Sequence, residues 1–307
     1  MDPSLISSLI VIANVALILA GGVLYLRRAR VDRPPVGVFN GRDVLFVAAA
    51  LLVLPPLYLR APVVLLAAVF ALLSAAMLHF SLSPLLGSPR AGRAAIALVI
   101  LDVVLAQVSR NDAEWLFLLV NNLALAIVVV GVCNIWAQSG IRAPHVALLA
   151  GGLAVYDVIA TIALPLMEDF LDRVQSVPLT PILAWGHGSG QIGVGLGDLL
   201  LVLVWTLVAE KAFSRSAGLV AAVLGISCIS VLFMAFWLDV SNRPLPAMVV
   251  LGPVIGLQYV ILARRTRSQR TTGAYFATLQ RRRTASPATA GASTPAGLPQ
   301  ASGVPAR

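Results

Sequence analysis

Residues 192–212 read IGVGLGDLLLVLVWTLVAEKA, an apolar stretch that is long enough to cross a lipid bilayer and that contains one aspartate, Asp198. A carboxylate at the centre of a membrane costs roughly 3 kcal/mol on insertion scales, so such a residue usually has a function and a partner. The preceding apolar stretch, residues 145–167, contains a second aspartate, Asp157. Two carboxylates in consecutive stretches predict that the two side chains meet inside the membrane.

The composition of the whole chain is that of a membrane protein. Of its 307 residues, 59% are hydrophobic and only 11% are charged, whereas soluble domains carry about 25% charged residues. We therefore expect an all-α polytopic membrane protein. The net charge of +9 does not indicate nucleic-acid binding, because the basic residues cluster at the ends of apolar stretches and in the C-terminal tail.

Nine apolar stretches approach the length of about 20 residues that a transmembrane helix requires, and they predict nine transmembrane helices. The predicted organisation is a five-helix region at 1–137, a four-helix region at 138–263 that carries both aspartates, and a basic juxtamembrane segment with a disordered tail at 264–307. The nine stretches are 5–26, 44–60, 61–81, 94–109, 114–137, 145–167, 192–212, 217–238 and 244–263.

The distribution of Lys and Arg predicts the orientation of the chain. With the N-terminus outside, 18 of the 22 basic residues fall on the cytoplasmic side, which leaves 4 outside. The positive-inside rule therefore favours an outer N-terminus and a cytoplasmic C-terminus.

The two aspartates are predicted to lie at the same depth. Asp157 follows His145 by 12 residues, which is about 18 Å of helix. Asp198 precedes Lys211 by 13 residues, which is about 20 Å. Neighbouring helices pack about 8–10 Å apart, a gap that two inward-facing Asp side chains can bridge. Two carboxyls held together in low dielectric tend to share one proton, as the dyad of an aspartic protease does.

Two unusual segments accompany the aspartates. Six glycines occur in the twelve residues 186–197. They discourage regular helix and allow an extended peptide to pair with the exposed backbone. An alternative is that they allow close packing between helices. In the last span, Pro246-Ala247-Met248 precedes Gly252-Pro253, and the simplest interpretation is a helix start followed by a kink. Pro246 lies 18 residues before Arg264, about 27 Å of helix, so it is expected above the aspartates unless the kink lowers it.

These pieces together resemble the presenilin and signal peptide peptidase family of intramembrane aspartyl proteases. That family carries Tyr-Asp in span six, Gly-x-Gly-Asp in span seven and Pro-Ala-Leu in span nine. Tyr156-Asp157 and Gly195-Leu196-Gly197-Asp198 match the first two marks. Pro246-Ala247-Met248 matches the third with Met for Leu, a volume-conserving change.

The resemblance implies a presenilin-like bundle in which Asp157 and Asp198 form the catalytic dyad. It implies transmembrane or signal-peptide-like substrates within the lipid bilayer, a prokaryotic plasma membrane, and no metal, cofactor or nucleic acid. The inferred orientation resembles that of signal peptide peptidase. The residues that the family implies to shape the active site or bind substrate are Tyr156, Gly195, Leu196, Gly197, Pro246, Ala247 and Met248.

Three other functions remain open. A prepilin-peptidase-like protein also uses a Gly-x-Gly-Asp aspartate, although many members carry a cysteine-rich loop that is missing here. A proton-coupled transporter could use Asp102, Asp157 and Asp198 as carriers. An inactive relative of the proteases would only bind helices.

Other polar residues also lie inside predicted spans. Asp102, in the fourth span, is expected to have a structural role. Interhelical hydrogen bonds are expected from three residues of span five: Asn121, Asn122 and Asn134.

Overall fold

The structure is a computed structural model, and it describes residues 3–31, 41–108, 114–163, 166–174, 177–188, 191–238, 246–266 and 268–285. These residues form mainly α-helices, with one two-stranded antiparallel sheet. The elements are α1 (Pro3–Arg28), α2 (Gly41–Arg60), α3 (Val63–Leu86), α4 (Ser88–Val108), α5 (Glu114–Gln138), α6 (Ala143–Asp157), α7 (Leu166–Val174), β1 (Ile182–Trp185), β2 (Ile192–Gly195), α8 (Leu196–Ala212), α9 (Arg215–Trp237), α10 (Ala247–Arg265) and α11 (Thr272–Ala285).

Seven helical segments among the described residues are long and apolar enough to cross a membrane. They are α1, α3, α4, α5, α6 with its continuation to Thr161, α9 and α10. The chain is therefore a multi-pass integral membrane protein. Seven of the nine predicted spans correspond to these segments. The other two predicted spans overlap α2 and α8, which are not among the seven segments; α8 has only 17 residues.

Two predicted spans differ from the helices that form. The stretch at 145–167 is α-helical only to Asp157, continues as a π-helical segment over Val158–Ala163, and is followed by the separate helix α7. The stretch at 192–212 begins as strand β2 and becomes helical at Leu196. Two of its glycines, Gly193 and Gly195, lie in the strand, whereas Gly197 lies in the first turn of α8. The mainly helical architecture thus includes a small sheet that the all-α prediction did not contain.

The core of the molecule is centred on α8. Residues 201–212 of this helix are all buried, because α8 is apolar on nearly every side and is surrounded by α1, α5, α6, α9 and α10. The indole Nε1 of Trp205 donates a 2.6 Å hydrogen bond to Oε1 of Gln258, which joins α8 to α10. The helix that carries Asp198 is thus held from several directions.

A buried polar cluster fixes the C-terminal end of α8. Glu210 is 1% exposed and accepts two hydrogen bonds from the Arg27 guanidinium, at 2.8 and 3.0 Å. The hydroxyl of Tyr275 donates to the same carboxylate at 2.9 Å. The ammonium of Lys211 donates to two backbone carbonyls at and beyond the end of α5, each at 2.7 Å. These contacts join α8 to α1, α5 and α11.

The predicted basic segment 264–283 therefore contains a helix, α11, that packs against α8 through Tyr275. The predicted disordered tail, 284–307, lies outside the described residues except for positions 284 and 285, which end α11.

Candidate active site

Asp157 and Asp198 line one cavity of about 830 Å³ whose walls are mostly apolar. Asp157 is the last α-helical residue of α6, and Asp198 lies in the first turn of α8. The two carboxylates are close enough to interact electrostatically. The structure thus brings together the two aspartates that the residue counts predicted to lie at the same depth.

Asp157 is held by donors from two sides. Its Oδ2 accepts a 2.9 Å hydrogen bond from the backbone N–H of Met248, and its Oδ1 accepts a 3.2 Å hydrogen bond from the hydroxyl of Thr161. The Met248 amide is free to donate because the first N–H groups of a helix have no partner within the helix. Sequence reasoning missed Thr161, although a residue four positions after Asp157 lies on the same helical face.

The third sequence motif therefore reaches Asp157 through Met248, a contact that the helix count, which placed Pro246 above the aspartates, did not foresee. That count assumed an upright, regular helix, whereas α10 begins at Ala247 and crosses close to α6 at Gly252. A Cβ on Gly252 would lie 2.7 Å from the carbonyl oxygen of Ala150. Ala247 and Met248 line the cavity; Pro246 is not among its described lining residues and instead caps α10.

Asp198 is only partly buried and faces the cavity. A Cβ on Gly195 would lie 3.3 Å from Oδ2 of Asp198. A glycine here allows the strand and the carboxylate to approach each other closely. The neighbouring residues that were predicted to shape the site, Tyr156, Leu196 and Gly197, also line the cavity.

The strand β2 leads directly into Asp198 and presents one edge to the cavity. It pairs with β1 so that Gly195 lies opposite Ile182 and Gly193 opposite Ala184. The N–H of Leu196 donates to the carbonyl of Pro181. In an antiparallel ladder every second residue bonds to the partner strand, and the residues between them point their N–H and C=O away from it. Gly193, three positions before Leu196, therefore points its N–H and C=O away from β1. The described hydrogen bonds include none to these two groups.

The remaining intramembrane polar residues lie outside the dyad. Asp102 is fully buried, and its Oδ1 accepts the N–H of Leu179 at 2.7 Å, in line with the expected structural role. Asn134 donates to the carbonyl of Gly22 on α1, which confirms an interhelical bond. For Asn121 and Asn122 the predicted partner was wrong: both bond to backbone in and beside β1.

No family model matches this chain, and no curated protein is significantly similar to it. Within the part of the chain that the structure describes, no group of three or more His, Cys, Asp and Glu side chains is placed to hold a metal ion.

Proposed function

We propose that this protein is an intramembrane aspartyl protease, similar to presenilin and signal peptide peptidase, that hydrolyses peptide bonds of transmembrane or signal-peptide-like helices. The observation that carries the proposal is the pair Asp157 and Asp198. The two carboxylates line one cavity within electrostatic range of each other. The motif residues other than Pro246 line the same cavity, and the backbone N–H of Met248 donates to Asp157.

The pair suits the general acid–base chemistry of peptide hydrolysis. One carboxylate, ionised, takes a proton from a water molecule, while the other, protonated, donates a hydrogen bond to the scissile carbonyl oxygen. Attack of the water oxygen on the carbonyl carbon gives a tetrahedral diol. Its collapse breaks the C–N bond and delivers a proton to the leaving nitrogen. The donors from Met248 and Thr161 keep the Asp157 carboxylate oriented through these steps.

The substrate is an extended segment that pairs with β2. In a transmembrane helix the scissile carbonyl is engaged in a helical hydrogen bond and surrounded by side chains, so the helix must open locally before hydrolysis. The outward N–H and C=O of Gly193 offer partners to the opened backbone, as in other cases of strand addition. Apolar walls around the dyad suit the side chains of a membrane-spanning segment.

The proposed topology has nine spans with the N-terminus outside and the C-terminus in the cytoplasm. Helix α2 has 20 residues, about 30 Å of helix, which matches the thickness of the hydrocarbon core. The 17 residues of α8 add about 26 Å of helix to about 13 Å of strand β2, and together they are long enough to cross. Reporter fusions at the C-terminus test this orientation.

Cleavage of a generic single-span peptide by the purified protein in lipid vesicles, followed by mass spectrometry of the products, tests the activity. We expect Asp157→Ala and Asp198→Ala each to abolish cleavage. Asp169→Ala is the matched control, because Asp169 is exposed on α7 and is not among the residues lining the cavity. Wild-type cleavage by either dyad variant would refute the proposal. Proton-driven solute uptake without peptide cleavage would favour the transporter instead.

A further inference from the structure

The edge of β1 that faces away from β2 is occupied by side chains of α5. The amide of Asn122 donates to the carbonyl of Ala184 at 2.7 Å and accepts the N–H of the same residue at 3.1 Å. The amide of Asn121 donates to the carbonyls of Ile182, at 3.2 Å, and Thr180, at 3.3 Å. Two neighbouring asparagines thus bind the outward carbonyls of Ile182 and Ala184 and the outward N–H of Ala184.

The asparagine amides take the place of a third strand. Asn122 exchanges a donor and an acceptor with one residue, which is the pattern of a hydrogen-bonded pair in an antiparallel ladder. Asn121 and Asn122 are 1% and 5% exposed, so the backbone groups they bind lie where an unsatisfied donor or acceptor would be costly. Side chains of α5 therefore cover the outer edge of β1 at residues 182 and 184, whereas no hydrogen bond among the described residues reaches the outward N–H and C=O of Gly193 on β2.

Asp102 fixes the turn that leads into β1. Its carboxylate accepts the N–H of Leu179, whose φ of 56° lies in the left-handed region that residues other than glycine rarely adopt. Such a conformation persists where surrounding contacts hold it. Asp102, from α4, is thus positioned to fix the direction in which residues 180 and 181 enter the strand.

We propose that Asn121, Asn122 and Asp102 are positioning residues that hold β1 in place and direct an incoming substrate strand to β2. This inference rests on the proposed function. It gives residues of α4 and α5 a part in determining which peptide bond of the substrate is cleaved. With β1 closed, a peptide can extend the sheet only at the edge that leads into Asp198. With β1 fixed, the register of that peptide relative to the dyad is fixed as well.

Hydrogen exchange tests the contact without any need for activity. In the full-length protein in vesicles, Asn121→Leu and Asn122→Leu, singly and together, should accelerate exchange of the amides of residues 182–185 at least tenfold. Asn134→Leu is the matched control, because Asn134 is a fully buried asparagine of the same helix that bonds to Gly22 and Val130 instead of the sheet. The single variants provide the measurement if the double variant does not fold.

Kinetics test the consequence for the substrate. For the asparagine variants we expect KM to rise roughly tenfold, which corresponds to about 1.4 kcal/mol of lost binding. We also expect the cleavage sites to spread over neighbouring bonds. Asp102→Leu should behave in the same way, whereas Asp102→Asn, which keeps an acceptor oxygen for the Leu179 amide, should keep the wild-type KM and cleavage site. A purely structural role would lower the amount of active protein and leave KM and cleavage site unchanged.

The two proposals fail in different ways. Unchanged exchange in β1, or unchanged KM and cleavage sites in the asparagine variants of an active enzyme, would overturn the positioning role and leave the protease intact. If the wild type cleaves no peptide, the proposed protease and the substrate-directing role both fail. The exchange measurement would then still decide whether these side chains hold β1.

Discussion

The backbone N–H of Met248 lies 2.9 Å from Oδ2 of Asp157, although 91 positions separate the two residues in the chain. This hydrogen bond joins the first turn of α10 to the end of α6. A helix N-terminus carries partial positive charge, so it is a favourable neighbour for a carboxylate that must hold negative charge during catalysis. The distance depends on how closely α6 and α10 pack, and that packing can be changed by substitution.

Gly252→Ala should weaken this bond and lower activity. A Cβ at this position would lie 2.7 Å from both the carbonyl oxygen of Ala150 and the Cβ of Ala154, so α10 must move away from α6. Gly256→Ala, one turn later in the same helix, is the control, because its Cβ would have no neighbour within 4 Å. We expect a fall in kcat of roughly tenfold or more for the first variant, equivalent to about 1.4 kcal/mol, and little change for the second. Equal kcat values for the two variants would show that the packing of α10 on α6 does not govern the site.

Gly193→Ala should impair substrate binding by disturbing the sheet. Its Cβ would lie 2.7 Å from Cγ2 of Ile182 and 3.3 Å from the Cβ of Ala184, so β2 would have to shift against β1. Gly151→Ala on α6 is the control, since nothing lies within 4 Å of its Cβ. Peptide-cleavage kinetics should show a raised KM for Gly193→Ala alone. A normal KM would argue against pairing of the substrate with this strand.

Removal of Arg27 should destabilise the protein more than removal of the Tyr275 hydroxyl. Arg27→Met leaves the buried Glu210 carboxylate without its charged partner, a change that costs about 3 kcal/mol or more. Tyr275→Phe removes one hydrogen bond to the same carboxylate, worth about 2 kcal/mol. The free energy of unfolding in mixed detergent micelles measures both. The reverse order would mean that Glu210 is not charged in the folded protein.

The contribution of Tyr275 should depend on alkaline pH. Burial, and then the nearby negative charge of Glu210, raise the pKa of Tyr275 above its ordinary value. Below the ordinary pKa of about 10 the hydroxyl is neutral in both the folded and unfolded protein, so its contribution is complete. As the pH rises further, the unfolded state loses the proton first and the folded state becomes less stable. The stability difference between wild type and Tyr275→Phe should therefore shrink above about pH 10; a constant difference would contradict the raised pKa.

The sequence by itself predicted the membrane class, and it predicted that the two aspartates lie at the same depth. Lipid favours helices for long hydrophobic stretches because a helix satisfies its own backbone groups. A constant helical rise then converts residue counts into depth. These two rules predict that Asp157 and Asp198 lie at the same level in the membrane. The glycines before Asp198 also predicted that regular helix would fail there.

Only the tertiary structure decided which groups surround the aspartates. Depth counting treats each helix as upright and separate, so it could not foresee that close packing at Gly252 brings the Met248 amide to Asp157. The strands β1 and β2 have four residues each, too few to give a reliable periodic pattern. The partners of Asn121 and Asn122 lie about 60 positions away in the chain. Contacts at such separation depend on how all the helices pack together, and no local pattern encodes them.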